Sequence, residues 1–230
     1  MNDLTGWTPR LLPERITLAG AHVRLEPLDP ALHAKPLGAL LGAPEMRAEY
    51  AHLPDLPPQG VAAAEAWIAQ AAASGDPFYY AAFDQRTGEP GGRLALVRIE
   101  PRHGVIEIGS ILYAPAIQRT PVTTEVMLLI GRYVFETLGY RRLEWKCNSV
   151  NERSRRAALR FGFRFEGVFR QHMVVKDQNR DTAWFSMLDS EWPARRLALE
   201  AWLSPDNFDE TGEQKQSLSM FQAAADSAAS

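Results

Sequence analysis

A strongly apolar helical repeat from Pro121 to Leu138 constrains the fold of this chain more than any other feature. Apolar side chains recur there at three- and four-residue steps, as at Val122, Val126 and Tyr133, and this spacing places them on one helix face. So wide an apolar face needs an apolar surface to cover it. The neighbouring segments GVIEIGSILY and RRLEWKCN are typical of strands, so we expect the helix to lie on a β-sheet.

The remaining patterned segments predict more strands and helices around that core. In AHVRLEPL, Val23 and Leu25 alternate with polar residues, and the alanine-rich segment GVAAAEAWIAQAAASG predicts a helix ended by Gly75. FYYAAFD, GGRLALVRIE and GVIEIGSILY, separated by turn signals, predict an antiparallel meander. NERSRRAALRFGF predicts a helix stopped by Gly162, and two strands follow around the turn KDQNR. The predicted order is strand, two helices, three strands, helix, strand, helix, two strands.

The C-terminal part changes character after a last helical segment, WPARRLALEAWL. Its apolar spacing permits a homodimer contact, and packing onto its own domain is an equal alternative. From Asp206 the composition is polar and rich in alanine, so we expect a loosely ordered tail. We predict a single domain over 1–205 and a tail over 206–230.

Charge, cysteine content and hydropathy exclude several classes of function. A formal net charge of -3 gives no basic excess for nucleic acid, and no stretch approaches the roughly 20 apolar residues of a membrane span. Cys147 is the only cysteine, so an intrachain disulfide and a paired-cysteine metal site are excluded. The five histidines lack metal-ligand spacing. We expect no metal, and we expect a cytoplasmic protein.

Four segments together resemble one family: IEIGSILY, QRTPVTTEVMLLIGRYVFETLGY, NERSRRAALRFGFRFEGVFR and NRDTAWFSMLDSEW. From Ile16 to Trp192 the chain is similar to the GNAT-fold N-acetyltransferases, most of all to the RimJ/RimL branch. The resemblance implies an α/β (α+β) fold: a mixed, mostly antiparallel sheet flanked by helices, with splayed parallel fourth and fifth strands. It also implies that acetyl-CoA, the co-substrate, binds between those strands, here near Ile108–Tyr113 and Leu143–Cys147.

The turn before the long helix is the expected phosphate site, because a helix N-terminus offers unpaired N–H groups and the positive end of a dipole. In the family pattern Gln118 matches, whereas Pro121 and Thr123 replace small residues. Pro121 lacks an N–H, and we expect threonine hydroxyls partly to replace amide donors, with Thr120 also a candidate N-cap. The alternative is that Thr120 and Pro121 only start a core helix, an arrangement that needs no ligand. The resemblance implies these cofactor-binding residues: Ile111, Tyr113, Gln118, Arg119, Thr120, Val122, Thr123, Thr124, Asn151, Arg155 and Arg156.

Acetyl transfer to an amine needs a base for the amine and a proton for the departing thiolate. The resemblance implies Glu107 as the base, acting through water, and Ser154 as the proton donor, because Ala158 stands where many members have tyrosine. Asn151 would hold the pantetheine arm or a water. The alternatives are an exposed strand carboxylate for Glu107 and helix capping for Asn151 and Ser154. Cys147, on the apolar side of its strand, is expected to be a buried structural thiol.

The resemblance implies a primary amine as the acceptor, either a protein N-terminus or a small molecule. The loops that bind the acceptor are expected in MRAEYAHLPDLPPQG and KDQNR. A second hypothesis is a non-catalytic protein that keeps the fold and senses an acyl-CoA. The altered turn and the missing tyrosine motivate it.

Overall fold

The computed structural model describes residues 4–229 and contains a single eight-stranded sheet in that range. Its strands follow the order β1-β2-β3-β4-β5-β6-β8-β7 across the sheet. All neighbouring pairs are antiparallel except β5 and β6, which are parallel. The strands are β1 (Leu18–Ala19), β2 (Val23–Pro27), β3 (Phe78–Asp84), β4 (Pro90–Glu100), β5 (Val105–Tyr113), β6 (Arg142–Asn148), β7 (Arg164–Val175) and β8 (Gln178–Leu188).

Helices cover both faces of the sheet. Along β3, Tyr80 and Ala82 join one hydrophobic cluster and Ala81 and Phe83 join the other, because successive strand residues point to opposite faces. The first cluster includes the long central helix and the C-terminal helices, and the second includes the two early ones. The helices are α1 (Pro30–Leu41), α2 (Val61–Ala72), α3 (Pro121–Gly131), α4 (Glu152–Arg160), α5 (Trp192–Leu203) and α6 (Leu218–Ala229).

The predicted fold class is confirmed, and the predicted strands and helices follow one another in the predicted order. β1 and α6 were not predicted, and several details of the predicted elements differ. α2 ends at Ala72, before Gly75, and α3 continues into a π-helical turn over Arg132–Thr137. The hairpin turn predicted over KDQNR contains only Lys176 and Asp177, both with positive φ, so β8 already begins at Gln178. A 3₁₀ helix, Pro44–Tyr50, lies within the predicted acceptor loop.

α3 is buried at almost every position because α5 and strands of the sheet, among them β2, pack against it. Its one acidic residue, Glu125, is buried with both carboxylate oxygens bonded. They accept from the backbone N–H groups of Ala21, His22 and Val23 at 2.8, 2.6 and 2.8 Å. A polar residue in this apolar helix is therefore tolerated because it fixes the turn that starts β2.

β5 and β6 pair over a short distance only. The register joins Val105, Ile106 and Glu107 to Arg142, Leu143 and Glu144, and the pairing stops there. Beyond that point β5 remains paired with β4, and β6 remains paired with β8 to its end. The two parallel strands are thus splayed, as expected, and each leaves an edge facing the gap.

The prediction of a loosely ordered segment after Asp206 is wrong for the part that the structure describes. α6 packs on α5, and Leu218, Phe221 and Ala225 join the core. Their spacing forms a narrow apolar helix face that the alanine-rich composition hides. The apolar face of α5 is likewise buried within the chain. The division at residue 205 and a homodimer stay predictions.

No helix within residues 4–229 combines the length and the apolar character needed to cross a bilayer.

We expect Leu218→Ala to lower the free energy of unfolding by about 2–4 kcal/mol, because it leaves a cavity under α6. Met220→Ala, in the same helix but 57% exposed, is the control and should change stability by less than about 0.5 kcal/mol. Urea unfolding measures both. Equal, small effects would mean that α6 does not pack as described.

Candidate active site

A cleft of about 1200 Å³ opens where β5 and β6 diverge. Side chains from both strands line it, together with the turn before α3 and one side of α4. It brings together most of the predicted site residues: Glu107, Ile111, Tyr113, Gln118, Arg119, Thr123, Asn151, Ser154 and Arg156.

Three other predicted cofactor residues, Thr120, Val122 and Thr124, are not among the side chains lining the cleft, and neither is Arg155. Val122 and Thr124 are buried residues of the first turn of α3. Arg155 instead donates to the Ser149 carbonyl at 3.1 Å and lies over the ring of Phe165.

Glu107 is a buried carboxylate, so the alternative of an exposed strand residue is wrong. Arg98 donates to it in bidentate fashion, with Nε 2.7 Å from Oε2 and Nη2 3.0 Å from Oε1. Lys146 Nζ lies 3.0 Å from Oε2 and also 2.7 Å from Glu144 Oε2. Arg142 in turn joins Glu144 to Glu166, so three acidic and three basic groups form one connected network, which offsets the cost of burying the carboxylates.

Asn151 and Ser154 are joined at the start of α4. The Asn151 side chain accepts from the Ser154 backbone N–H at 3.1 Å and so caps the helix, as the capping alternative expects. The Ser154 hydroxyl does not cap. It accepts from Trp145 Nε1 at 2.9 Å, which fixes the oxygen at the edge of β6.

The thiol of Cys147 lies beside Ser154 and lines the same cleft. Burial raises the pKa of Cys147, and a hydrogen bond with Ser154 and the charge of Arg180 partly offset this shift. Since the thiolate is the nucleophilic form, this environment disfavours a nucleophilic role.

The threonine hydroxyls of the α3 turn bond within the protein, and this differs from the expectation that they act as ligand donors. Thr120 Oγ1 donates to the Ile117 carbonyl at 2.7 Å, and Thr123 Oγ1 donates to the Thr120 carbonyl at 3.2 Å. Thr124 Oγ1 accepts from Arg160 at 3.2 Å. Thr120 occupies the N-cap position, but among the described residues no side chain caps α3. The backbone N–H groups at its start therefore have no side-chain acceptor.

Gln118 connects three parts of the cleft wall. Its Nε2 donates to the Tyr113 carbonyl and to Glu49, both at 2.9 Å, and its Oε1 accepts from Arg153. The next residue, Arg119, has φ +62°, a left-handed conformation that is uncommon for arginine. The half-buried Tyr113 faces the cleft, and burial raises the pKa of its hydroxyl.

Sequence reasoning missed Arg98, Lys146 and Arg180, which line the cleft beside Glu107. Lys146 lies on the polar side of the alternating β6, a signal that was available. Arg98 has φ +49° within a register irregularity of β4, so its direction could not be read from alternation. Among residues 4–229, no group of three or more His, Cys, Asp or Glu side chains is arranged to hold a metal ion.

Comparison with known proteins gives one consistent result. The model of the acetyltransferase (GNAT) domain family matches residues 22–164. A GCN5-related N-acetyltransferase from Brucella melitensis is 52% identical, with a TM-score of 0.93, and the match covers 96% of this chain and 100% of that one. A probable acetyltransferase of the GNAT family from Chromobacterium violaceum is 40% identical, with a TM-score of 0.77, and the match covers 84% of this chain and 96% of that one.

A more distant structure is the Salmonella typhimurium acetyltransferase that modifies the N-terminal serine of a 50S ribosomal protein. It is 19% identical, with a TM-score of 0.65, and the match covers 75% of this chain and 99% of that one, so it shares the fold. No curated protein matches the chain.

We expect Cys147 to react with a thiol reagent at least about tenfold more slowly in the native protein than in urea, because the thiol is buried and its pKa is raised. Since Cys147 is the only cysteine, the total labelling rate measures this site directly. Native labelling as fast as in urea would contradict the described burial.

Proposed function

The chain belongs to the GNAT acetyltransferase family, and from that premise we propose that its cleft transfers an acetyl group from acetyl-CoA directly to a primary amine. The observation that carries the proposal is the convergence of Glu107, Ser154 and the uncapped start of α3 on one cleft. The family assignment also favours an enzyme over a non-catalytic sensor.

The pyrophosphate of CoA fits the start of α3. The backbone N–H groups of Val122 and Thr123 have no side-chain cap, and a helix N-terminus favours an anion. Pro121 contributes no donor, but its fixed φ suits the first helical position. Arg119 and Arg156 line the cleft without a carboxylate partner among residues 4–229, so both are available to phosphate oxygens.

In the reaction we propose, the amine nitrogen attacks the thioester carbonyl, an N–C bond forms and the C–S bond breaks. Glu107 takes the amine proton through a water molecule. Three acceptor positions of its carboxylate are occupied by Arg98 and Lys146, and a carboxylate has about four, which leaves one for that water. Ser154 gives its proton to the thiolate, and the proton that Glu107 took from the amine then passes through water to Ser154. One proton thus moves from nitrogen to sulfur overall.

The chemistry of Ser154 depends on Trp145. Because the indole N–H donates to Oγ, the oxygen is held in place and its own proton is directed elsewhere. Asn151 fixes the backbone at the same point and is also available to the pantetheine arm. The acceptor we propose is a primary amine, carried either by a protein N-terminus or by a small molecule. A cytoplasmic location stays a prediction.

Glu107→Gln should lower kcat/KM for acetyl transfer by about 100-fold, the scale of general base catalysis, and Ser154→Ala by about tenfold or more. The affinity for acetyl-CoA should change by less than about threefold. Glu89→Gln and Ser190→Ala, both exposed and outside the cleft, are the matched controls. Unchanged rates in the two cleft variants would remove Glu107 and Ser154 from the mechanism.

Calorimetric titration should give micromolar affinity for acetyl-CoA, about -8 kcal/mol. Pro121→Gly adds one amide donor and loses the preset φ, so these opposing effects should leave the dissociation constant within about tenfold of the unmodified protein. Absence of binding in both proteins would favour the non-catalytic hypothesis.

A further inference from the structure

Arg180 is a buried cation without a partner in the described part of the chain. It lies on β8, is 8% exposed and lines the cleft. Its Nε atom is buried and makes no hydrogen bond, and no carboxylate within residues 4–229 forms an ion pair with its guanidinium. Removing an arginine from water without a partner is costly, so buried arginines are normally paired. This one is prepared for an anion that the protein itself does not supply.

The two basic side chains that contact Glu107 are already paired. Arg98, Lys146 and Arg142 are balanced by three carboxylates, those of Glu107, Glu144 and Glu166, so that network carries no excess charge. The fully buried Arg93, outside the cleft, is paired with Asp55. Arg180 is therefore left as an excess positive charge in the wall of the cleft. Burial lowers its pKa, and the charges of Cys147 and Glu107 partly offset that effect.

The position of Arg180 points to the acceptor and not to CoA. Its register partner across the hairpin is Met173 of β7, and both side chains line the cleft. Along β8, the alternation of side chains puts Arg180 on the same face as Trp184, whose ring lies 3.6 Å from Lys146 Nζ. Lys146 in turn contacts Glu107. Arg180 thus belongs to the side of the sheet where Glu107 would receive the amine proton.

Resting on the function proposed above, we propose that Arg180 binds an anionic group of the acceptor, which is a small amine that also carries a carboxylate or a phosphate. A guanidinium presents parallel N–H donors that match either anion in a bidentate contact. The amine would then be held near Glu107 by its own anionic end.

Contacts around the cleft favour a small acceptor over a peptide. Lys176, in the β7–β8 turn, donates to the Tyr50 carbonyl at 2.9 Å. This bond joins the hairpin next to Arg180 to the segment around residues 48–54, which also lines the cleft. Arg93 holds the same segment through Asp55. A polypeptide would have to displace these contacts, whereas a small molecule would not.

The test begins with calorimetry of acetyl-CoA, which examines the proposed function alone. Product analogues are then titrated with and without saturating CoA: N-acetyl amino acids against their neutral amides, and N-acetylethanolamine phosphate against N-acetylethanolamine. An N-acetylated neutral hexapeptide is added. The proteins are the unmodified chain, Arg180→Gln, Arg180→Lys and the control Arg86→Gln, an exposed arginine in the β3–β4 turn.

We expect at least one anionic analogue to bind about tenfold or more tightly than its neutral counterpart, as a charged pair with good geometry should. Arg180→Gln should reduce that preference to about twofold, Arg180→Lys should keep part of it because it retains the charge without the planar fork, and Arg86→Gln should keep it all. Which pair shows the preference distinguishes a carboxylate from a phosphate.

Several results would overturn the proposal. One is that no anionic analogue binds more tightly than its neutral counterpart, and another is that the preference survives in Arg180→Gln. A third is that the hexapeptide binds more tightly than the small analogues, and a fourth is that Arg180→Gln loses affinity for acetyl-CoA alone.

Thermal unfolding gives a second readout. Arg180→Met should unfold at a temperature no lower than the unmodified protein, because it removes an unpaired buried charge. A clear decrease would mean that Arg180 is structural. Absence of acetyl-CoA binding with an intact anion preference would reject only the proposed function.

Discussion

The site depends on the loss of pairing between β5 and β6 after Glu107. Two parallel strands can separate inside a sheet only if each keeps its hydrogen bonds elsewhere, and β4 and β8 provide them. Irregularities help β5 turn away, with Ser110 at φ +49° and a shift of register between Arg93 and Ala95 on the facing strand. The gap then exposes polar backbone and side chains without breaking the sheet, and α3 starts at its end.

The charged network around Glu107 allows a carboxylate to be buried inside this gap. Glu107 and Glu144 are each in contact with Lys146. Arg98 pairs with Glu107, and Arg142 joins Glu144 to Glu166, so three acids balance three bases. Such a network orients each member, since moving one side chain leaves another buried charge unpaired. The left-handed backbone of Arg98 is a local strain that the bidentate contact offsets. Rigid placement of the carboxylate is thus obtained from electrostatics and not from apolar packing.

Periodicity predicted the fold well because most elements have one buried face. In β2, the meander and α3, the spacing of the apolar residues shows which side of the element is buried. Val23, Leu25 and Val126 are examples. β1 has only two residues and no pattern, and α6 was missed because its narrow apolar face lies in a segment whose composition is dominated by alanine and polar residues. At the site, alternation gave the face on which Glu107 lies but not its burial, which depends on Arg98 and Lys146 reaching it from other strands. The direction of the threonine hydroxyls in the α3 turn is equally invisible in sequence, because backbone carbonyls compete for them.

The C-terminal part of the chain, from α5 onward, completes the cleft and lies outside residues 22–164 that the family model matches. Trp202, Phe208 and Gln214 line the cleft, and the Trp202 indole donates to Gln214 at 2.7 Å. Arg160 at the end of α4 lies over the Trp202 ring, and its carbonyl accepts from Gln222 of α6 at 2.9 Å. The wall formed by α4 is therefore held from behind by the C-terminal helices. The central strands supply the gap and its charges, whereas the C-terminal segment closes one side of the cleft.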